Sequence, residues 1–231
     1  MRRLSGYLVA LVATALSSAA VLAAECDGRA VRTEEFRGRP MTVRIGEMAR
    51  ALPAGSAVVL GDSIANRWPR NDLADILGAP VVVLANGGDR IENANWTLTQ
   101  VDQARAKSVR RVVSEVGTAN LLTDTTCEFA ARTRSYLQNL RRTFPNAKIY
   151  AVNIYQKGVG GRARVAEVRA ANEAIRASAA ENGIVYVDIH GPLANKCVGQ
   201  ESCTLLEPNR VHPSPQGYDL FSAVLREALK R

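Results

Sequence analysis

Five short apolar runs rich in β-branched residues recur along the chain: AVVLG (57–61), VVVLA (81–85), RVVSEVG (111–117), KIYAVNI (148–154) and GIVYVDI (183–189). A strand that is apolar on nearly every residue must be covered on both faces, which is the condition of a parallel sheet between helical layers. The segments between the runs carry helical spacing, clearest in CEFAARTRSYLQNLRRTF (127–144) and ARVAEVRAANEAIRASAAENG (163–183), and a last helix is expected after Pro215 through YDLFSAVLREALK. Alternation of strand and helix predicts an α/β fold of three layers, α/β/α. Ligands of such sheets bind beyond the carboxyl ends of the strands, so the residues just past each run are the candidate functional positions. With 231 residues, 47% of them hydrophobic, the chain suits one such domain and leaves little room for a second.

The first residues predict a compartment. Arg2 and Arg3, an apolar stretch from Leu8 to Leu22 and the small residues of VLAAEC have the pattern of a secretory signal peptide over 1–24, with the cut after Ala23 or Ala24 and a single domain over 25–231. Glu25, between the alanines and Cys26, argues against a lipoprotein signal. An uncleaved membrane anchor is the alternative, although Thr14, Ser17 and Ser18 dilute the apolar run. The expectation is an exported protein, periplasmic or secreted, with no stable membrane insertion after cleavage. Without Arg2 and Arg3 the balance is 28 basic against 22 acidic residues, or +6. That excess is spread out and forms no nucleic-acid-binding arm, so no nucleic acid partner is expected; an anionic envelope polymer is the better match.

Export permits disulfides, and the four cysteines allow three pairings. Cys197 and Cys203 enclose the polar loop VGQES, which favours that pair and leaves Cys26 with Cys127. A zinc site needs tighter spacing with nearby histidines, and His190 and His212 are the only two in the chain. No metal or other cofactor is expected.

Four short blocks stand where the site is expected: GDSI (61–64), NGGDRIENANW (86–96), GTANL (117–121) and, before the last helix, NRVHPSPQGY (209–218). In order and spacing they resemble the SGNH, or GDSL-type, hydrolase family, over the chain from about Ala57 to the C-terminus. The resemblance implies a flavodoxin-like sheet of five parallel strands and an ester hydrolase without a cofactor. It implies that Ser63 attacks the acyl carbon and that His212 takes its proton, because a serine hydroxyl is a weak nucleophile until a base lies within hydrogen-bond reach. It further implies an oxyanion hole made by the main-chain N–H groups of Ser63 and Gly88, where paired glycines let backbone approach the substrate.

Two positions depart from the family pattern. Where the third block carries an oxyanion-donating asparagine, this chain has Ala119, followed by Asn120. Asn120 fills the hole if the loop is displaced by one residue, and is otherwise a loop asparagine bonded to backbone. Where the last block carries an aspartate three residues before the histidine, this chain has Asn209, which can bond to imidazole but brings no charge. Glu207 is a candidate replacement, or an exposed loop carboxylate. Ser63 itself has a second reading as a helix N-cap, and Asp62 is expected to cap or brace the same turn. Trp96 is expected to pack a helix against the sheet, and His190 to be structural. Two functions stand: a serine ester hydrolase that removes an acetyl or short acyl group from an envelope glycan or lipid, or a catalytically degenerate member of the fold that binds an acylated polymer without turnover.

Overall fold

The computed structural model describes residues 40–155, 158–159, 162–163, 165–197, 203–209 and 211–231. The expected signal segment with its cut, and Cys26, lie outside these residues. All five apolar runs contribute strands to one sheet: β1 (Ala57–Gly61), β2 (Val81–Ala85), β3 (Arg111–Glu115), β4 (Lys148–Val152) and β7 (Val185–Val187). A separate two-stranded hairpin pairs β5 (Gly158–Val159) with β6 (Arg162–Ala163). The five-stranded sheet is parallel throughout, in the order β2-β1-β3-β4-β7. The last residues of the third, fourth and fifth runs leave the ladder. Gly117 turns the chain at φ 125°, and Asn153 accepts the N–H groups of Ile189 and His190 on its side-chain oxygen.

In chain order the helices are α1 (Pro40–Arg50), α2 (Ser63–Arg67), α3 (Arg70–Leu77), α4 (Ile91–Thr99), α5 (Gln103–Ala106), α6 (Thr126–Thr143), α7 (Val165–Glu181), α8 (His190–Cys197) and α9 (Pro215–Leu229). Side chains alternate across each strand. Val58, Leu60, Val112, Ile149 and Ala151 face a core shared with α1, α4, α5, α6 and α7. Val59, Val113, Tyr150, Val152 and Val187 face a second core shared with α2, α3, α8 and α9. Trp68, Tyr155, Tyr218 and Phe221 form an aromatic cluster in that second core, with ring centroids 5.4–6.3 Å apart. Local signals set the helix ends. Thr125 and Glu128 form a capping box at the start of α6, and Ser214 caps α9 with Pro215 in its first turn. No described helix is long and apolar enough to cross a membrane.

The Cys197–Cys203 disulfide is present, with Cα atoms 5.3 Å apart, and ties the end of α8 to the segment that leads into the last motif block. Cys127, at the start of α6, is also disulfide-bonded, and its expected partner Cys26 lies outside the described residues.

The sheet order reverses between β1 and β3, so the chains leaving these neighbouring strands part to opposite faces and open a crevice. Ser63 begins α2 at this point. The turn from β1 into α2 is tight: a Cβ on Gly61 would lie 2.0 Å from the Glu115 carbonyl oxygen and 2.5 Å from the Ala65 Cβ. Gly61→Ala is therefore expected to destabilise the fold by about 3 kcal/mol or more, at the upper end of overpacking costs. The urea midpoint against wild type measures it, and an unchanged midpoint would show that the strands can part at no cost.

Candidate active site

The GDSI block crosses from β1 into α2, and its residues divide two tasks. Asp62 is the N-cap: its Oδ1 accepts the Ile64 N–H at 2.9 Å, and the residue is buried. With capping supplied by Asp62, the half-buried Ser63 hydroxyl is turned instead to His212, whose Nε2 lies 2.9 Å from Ser63 Oγ. The N-cap reading of Ser63 is thus replaced by an N-cap one residue earlier.

His212 comes to the serine on a short hairpin ahead of α9. Leu206 and Pro213 form an antiparallel bridge, Glu207 donates its N–H to the His212 carbonyl at 2.9 Å, and Ser214 donates its N–H to the Leu205 carbonyl at 3.0 Å. At the tip, Asn209 Oδ1 accepts the N–H groups of Val211 at 2.8 Å and His212 at 3.0 Å. Asn209 Nδ2 then faces His212 Nδ1 at 3.3 Å and donates to Glu207 Oε2 at 2.7 Å. Glu207 Oε2 is 3.7 Å from His212 Nδ1 and 3.2 Å from an Arg67 guanidinium nitrogen on α2.

Two tyrosines that sequence reasoning did not single out hold the two halves in place. Tyr155, just beyond β4, donates its hydroxyl to the Val211 carbonyl at 2.6 Å, immediately before His212. Tyr218, on α9, donates to the Ile64 carbonyl at 3.0 Å, immediately after Ser63. Burial pushes both phenols up, and the Glu115 carboxylate adds to the rise in each. Both therefore stay protonated at neutral pH and remain donors. The available signal was positional, since Tyr155 follows the carboxyl end of a strand and Tyr218 closes the last block.

The second block turns over the serine. Asp89 donates its N–H to the Asn86 carbonyl at 3.2 Å across Gly87 and Gly88, and Gly88 has φ 80°, the left-handed conformation required at the third position of a type II turn. A Cβ on Gly87 would lie 4.0 Å from the Ser63 Cβ, and the space where a Gly88 side chain would stand has no heavy atom within 4 Å.

Asn120 is fully buried and joins the third block to the second. Its Oδ1 accepts the Ile91 N–H at 2.9 Å, and its amide nitrogen donates to Glu92 at 2.9 Å and Asp124 at 2.8 Å. Those carboxylates pair with Arg90 and Arg132: Arg90 lies 3.2 Å from Glu92 and also bonds to Asp124, while Arg132 bonds to Glu92 and lies 3.3 Å from Asp124. Two positive and two negative groups thus balance around one asparagine. Sequence reasoning did not find this cluster, whose members come from α4 and its N-cap residue Arg90, from α6 and from the loop between β3 and α6. Trp96 lies on the outer side of α4 with its ring 3.4 Å from where a Gly46 Cβ would be, so it packs α4 against α1 and not against the sheet. His190 opens α8 and donates its N–H to Asn153. Among the described residues no group of three or more histidines, cysteines, aspartates or glutamates is placed to hold a metal.

A hydroxyl thus lies against an imidazole at the crevice of a doubly wound parallel sheet, where ligands of such sheets bind. Residues 52–220 match the sequence model of the GDSL-like lipase/acylhydrolase family, and the chain belongs to that family. Solved structures share the fold at low identity. A GDSL-like lipase from Bacteroides thetaiotaomicron superimposes with a TM-score of 0.65 at 17% identity, over 82% of this chain and 97% of that one. A lipase/acylhydrolase from Enterococcus faecalis gives 0.62 at 19% identity, over 76% and 95%. An acetyl-xylooligosaccharide esterase from Geobacillus stearmophilus gives 0.59 at 15% identity, over 77% and 94%. No curated protein matches the sequence significantly.

Tyr155→Phe leaves the Val211 carbonyl without its phenol donor. The expected cost is about 1–3 kcal/mol, the penalty for a buried polar group deprived of its partner, read as a lower urea midpoint. A midpoint equal to that of wild type would mean that water replaces the phenol freely.

Proposed function

We propose that the protein is an exported serine ester hydrolase in which Ser63 is the nucleophile and His212 the base. The observation that carries the reading is the 2.9 Å contact between His212 Nε2 and Ser63 Oγ, within the range a general base needs. Ser63 Oγ attacks the acyl carbon as its proton passes to Nε2, giving a tetrahedral oxyanion. The intermediate collapses, His212 returns the proton to the departing alcohol, and an acyl-serine remains. Water then attacks by the same route and releases the carboxylic acid.

The oxyanion is assigned to the main-chain N–H groups of Ser63 and Gly88, the first at the start of α2 and the second on the turn beside it. Asn120 has both amide hydrogens on carboxylates, so its assigned part is to fasten the start of α4, and with it the Gly88 turn, to the third block. Ala119, with a methyl for a side chain, offers no donor from that position of the block.

The substrate assigned is an acetyl or short acyl ester on an envelope glycan or lipid. The disulfide is in keeping with an oxidising compartment. A neighbour of the same fold named as an acetyl-xylooligosaccharide esterase supports the reading of an acetylated glycan. Asn209, an amide facing the histidine, is the feature that favours the alternative of a binding protein without turnover.

Ser63→Ala is expected to lower hydrolysis of p-nitrophenyl acetate by at least about a thousandfold, and His212→Ala to come close to it, because such a pair works as a unit. A fluorophosphonate should label Ser63 in the wild type alone. Hydrolysis unaffected by Ser63→Ala would remove the nucleophile assignment, and absence of both turnover and labelling would move the reading to the binding protein.

A further inference from the structure

An imidazole that is to accept the serine proton needs its lone pair at Nε2 and its own hydrogen at Nδ1, so Nδ1 needs an acceptor. Asn209, at the position where the family pattern has an acid, does not supply one. Its Oδ1 is held by the N–H groups of Val211 and His212, and two such donors fix which end of the amide is oxygen. The atom left facing Nδ1 is Nδ2, which has only hydrogens to give. Acting alone, Asn209 would favour the tautomer with its hydrogen on Nε2, the one that cannot take a proton from Ser63.

Resting on the reading of Ser63 and His212 as nucleophile and base, we propose that Glu207 is the positioning acid of this site. It accepts the Nδ1 hydrogen and balances the imidazolium formed during attack, while Asn209 is the bracket that holds it there. Glu207 Oε2 stands 3.7 Å from Nδ1, and a carboxylate movement of under about 1 Å makes that contact a hydrogen bond. Asn209 Nδ2 grips the same oxygen at 2.7 Å, and Arg67, from the helix that begins with Ser63, approaches it at 3.2 Å. His212 is mostly shielded, with 14% of its side chain exposed against 36% for Glu207, so the charge acts from the solvent side on a sheltered ring.

The hairpin explains why position 207 can do this. Leu206 pairs with Pro213, and the Glu207 N–H bonds to the His212 carbonyl, which puts residues 207 and 212 opposite each other. Opposed residues of an antiparallel pair share a face, with Cβ atoms about 4.5–5.5 Å apart. A glutamate spans that gap along its longer stem. Position 209, at the tip, is free to close the turn.

The test compares variants of the whole protein by turnover of p-nitrophenyl acetate and by the rate at which a fluorophosphonate labels Ser63, a readout independent of the natural substrate. Glu207→Gln is expected to lower kcat and the labelling rate by at least about tenfold, with KM within about twofold and the melting temperature unchanged. Asn209→Asp alone should also lower kcat, because it sets a second carboxylate against Glu207. The double variant Glu207→Gln with Asn209→Asp should recover most of the loss by returning one carboxylate to the ring, an outcome that a purely structural role for Glu207 does not produce. Near-wild-type rates for Glu207→Gln, in a protein inactivated by Ser63→Ala, would overturn the role of Glu207 and leave the pair intact. Rates that survive Ser63→Ala would overturn the pair and the acid together.

Discussion

The close approach of β1 to the end of β3 is the constraint on which the rest of the site depends. Gly61 lies against the Glu115 carbonyl with no room for a side chain, and Asp62 donates its N–H to the same oxygen at 3.2 Å. The next residue therefore enters a helix at once, on the face away from the third block. Widening this junction would displace Ser63 from the second block, where a Cβ on Gly87 would stand 4.0 Å from the Ser63 Cβ. The polar cluster around Asn120 acts from the opposite side of the crevice. It joins the loops after β2 and β3 with buried ion pairs, whose partners cannot be removed singly without leaving an uncompensated charge. The two loops thereby behave as one wall, facing the serine on the other.

Much of the fold was legible because its signals are local. A buried parallel strand announces itself as a continuous apolar run, and β1 and β2 coincide with the runs AVVLG and VVVLA. The later runs overshoot their strands because apolar character continues into the site loops: Val116 and Ile154 are buried though neither belongs to the ladder. The start of α9 was legible for a related reason, as Ser-Pro is a cap and a first-turn residue together.

Relations across the chain were legible only where a motif encoded them. Ser63 and His212 could be named because short blocks carry them. The neighbourhood of Glu207 depends on a hairpin register, and no periodicity betrays a pairing set by one bridge between Leu206 and Pro213. Tyr155 bonds to a carbonyl, a group every residue possesses, so its partner leaves no mark in the sequence. Trp96 shows the same limit. Its apolar bulk is plain from the sequence, but whether a sheet or α1 covers it is settled only when the layers assemble.

The hairpin of residues 206–213 has a further consequence, for the chain closure that the site requires. Its internal bonds join residues within one turn, whereas the His212 contact to Ser63 closes a separation of 149 residues. Local closure costs little chain entropy and the distant one costs more. The hairpin is anchored at its base by the disulfide, near its tip by Tyr155 and to α2 by Arg67 as well as by Ser63. Nearly the same span is already closed in the core by Trp68 with Ser222 and by Tyr218 with Ile64, each pair 154 residues apart, so the serine and the histidine meet at the end of a closure that the aromatic core holds.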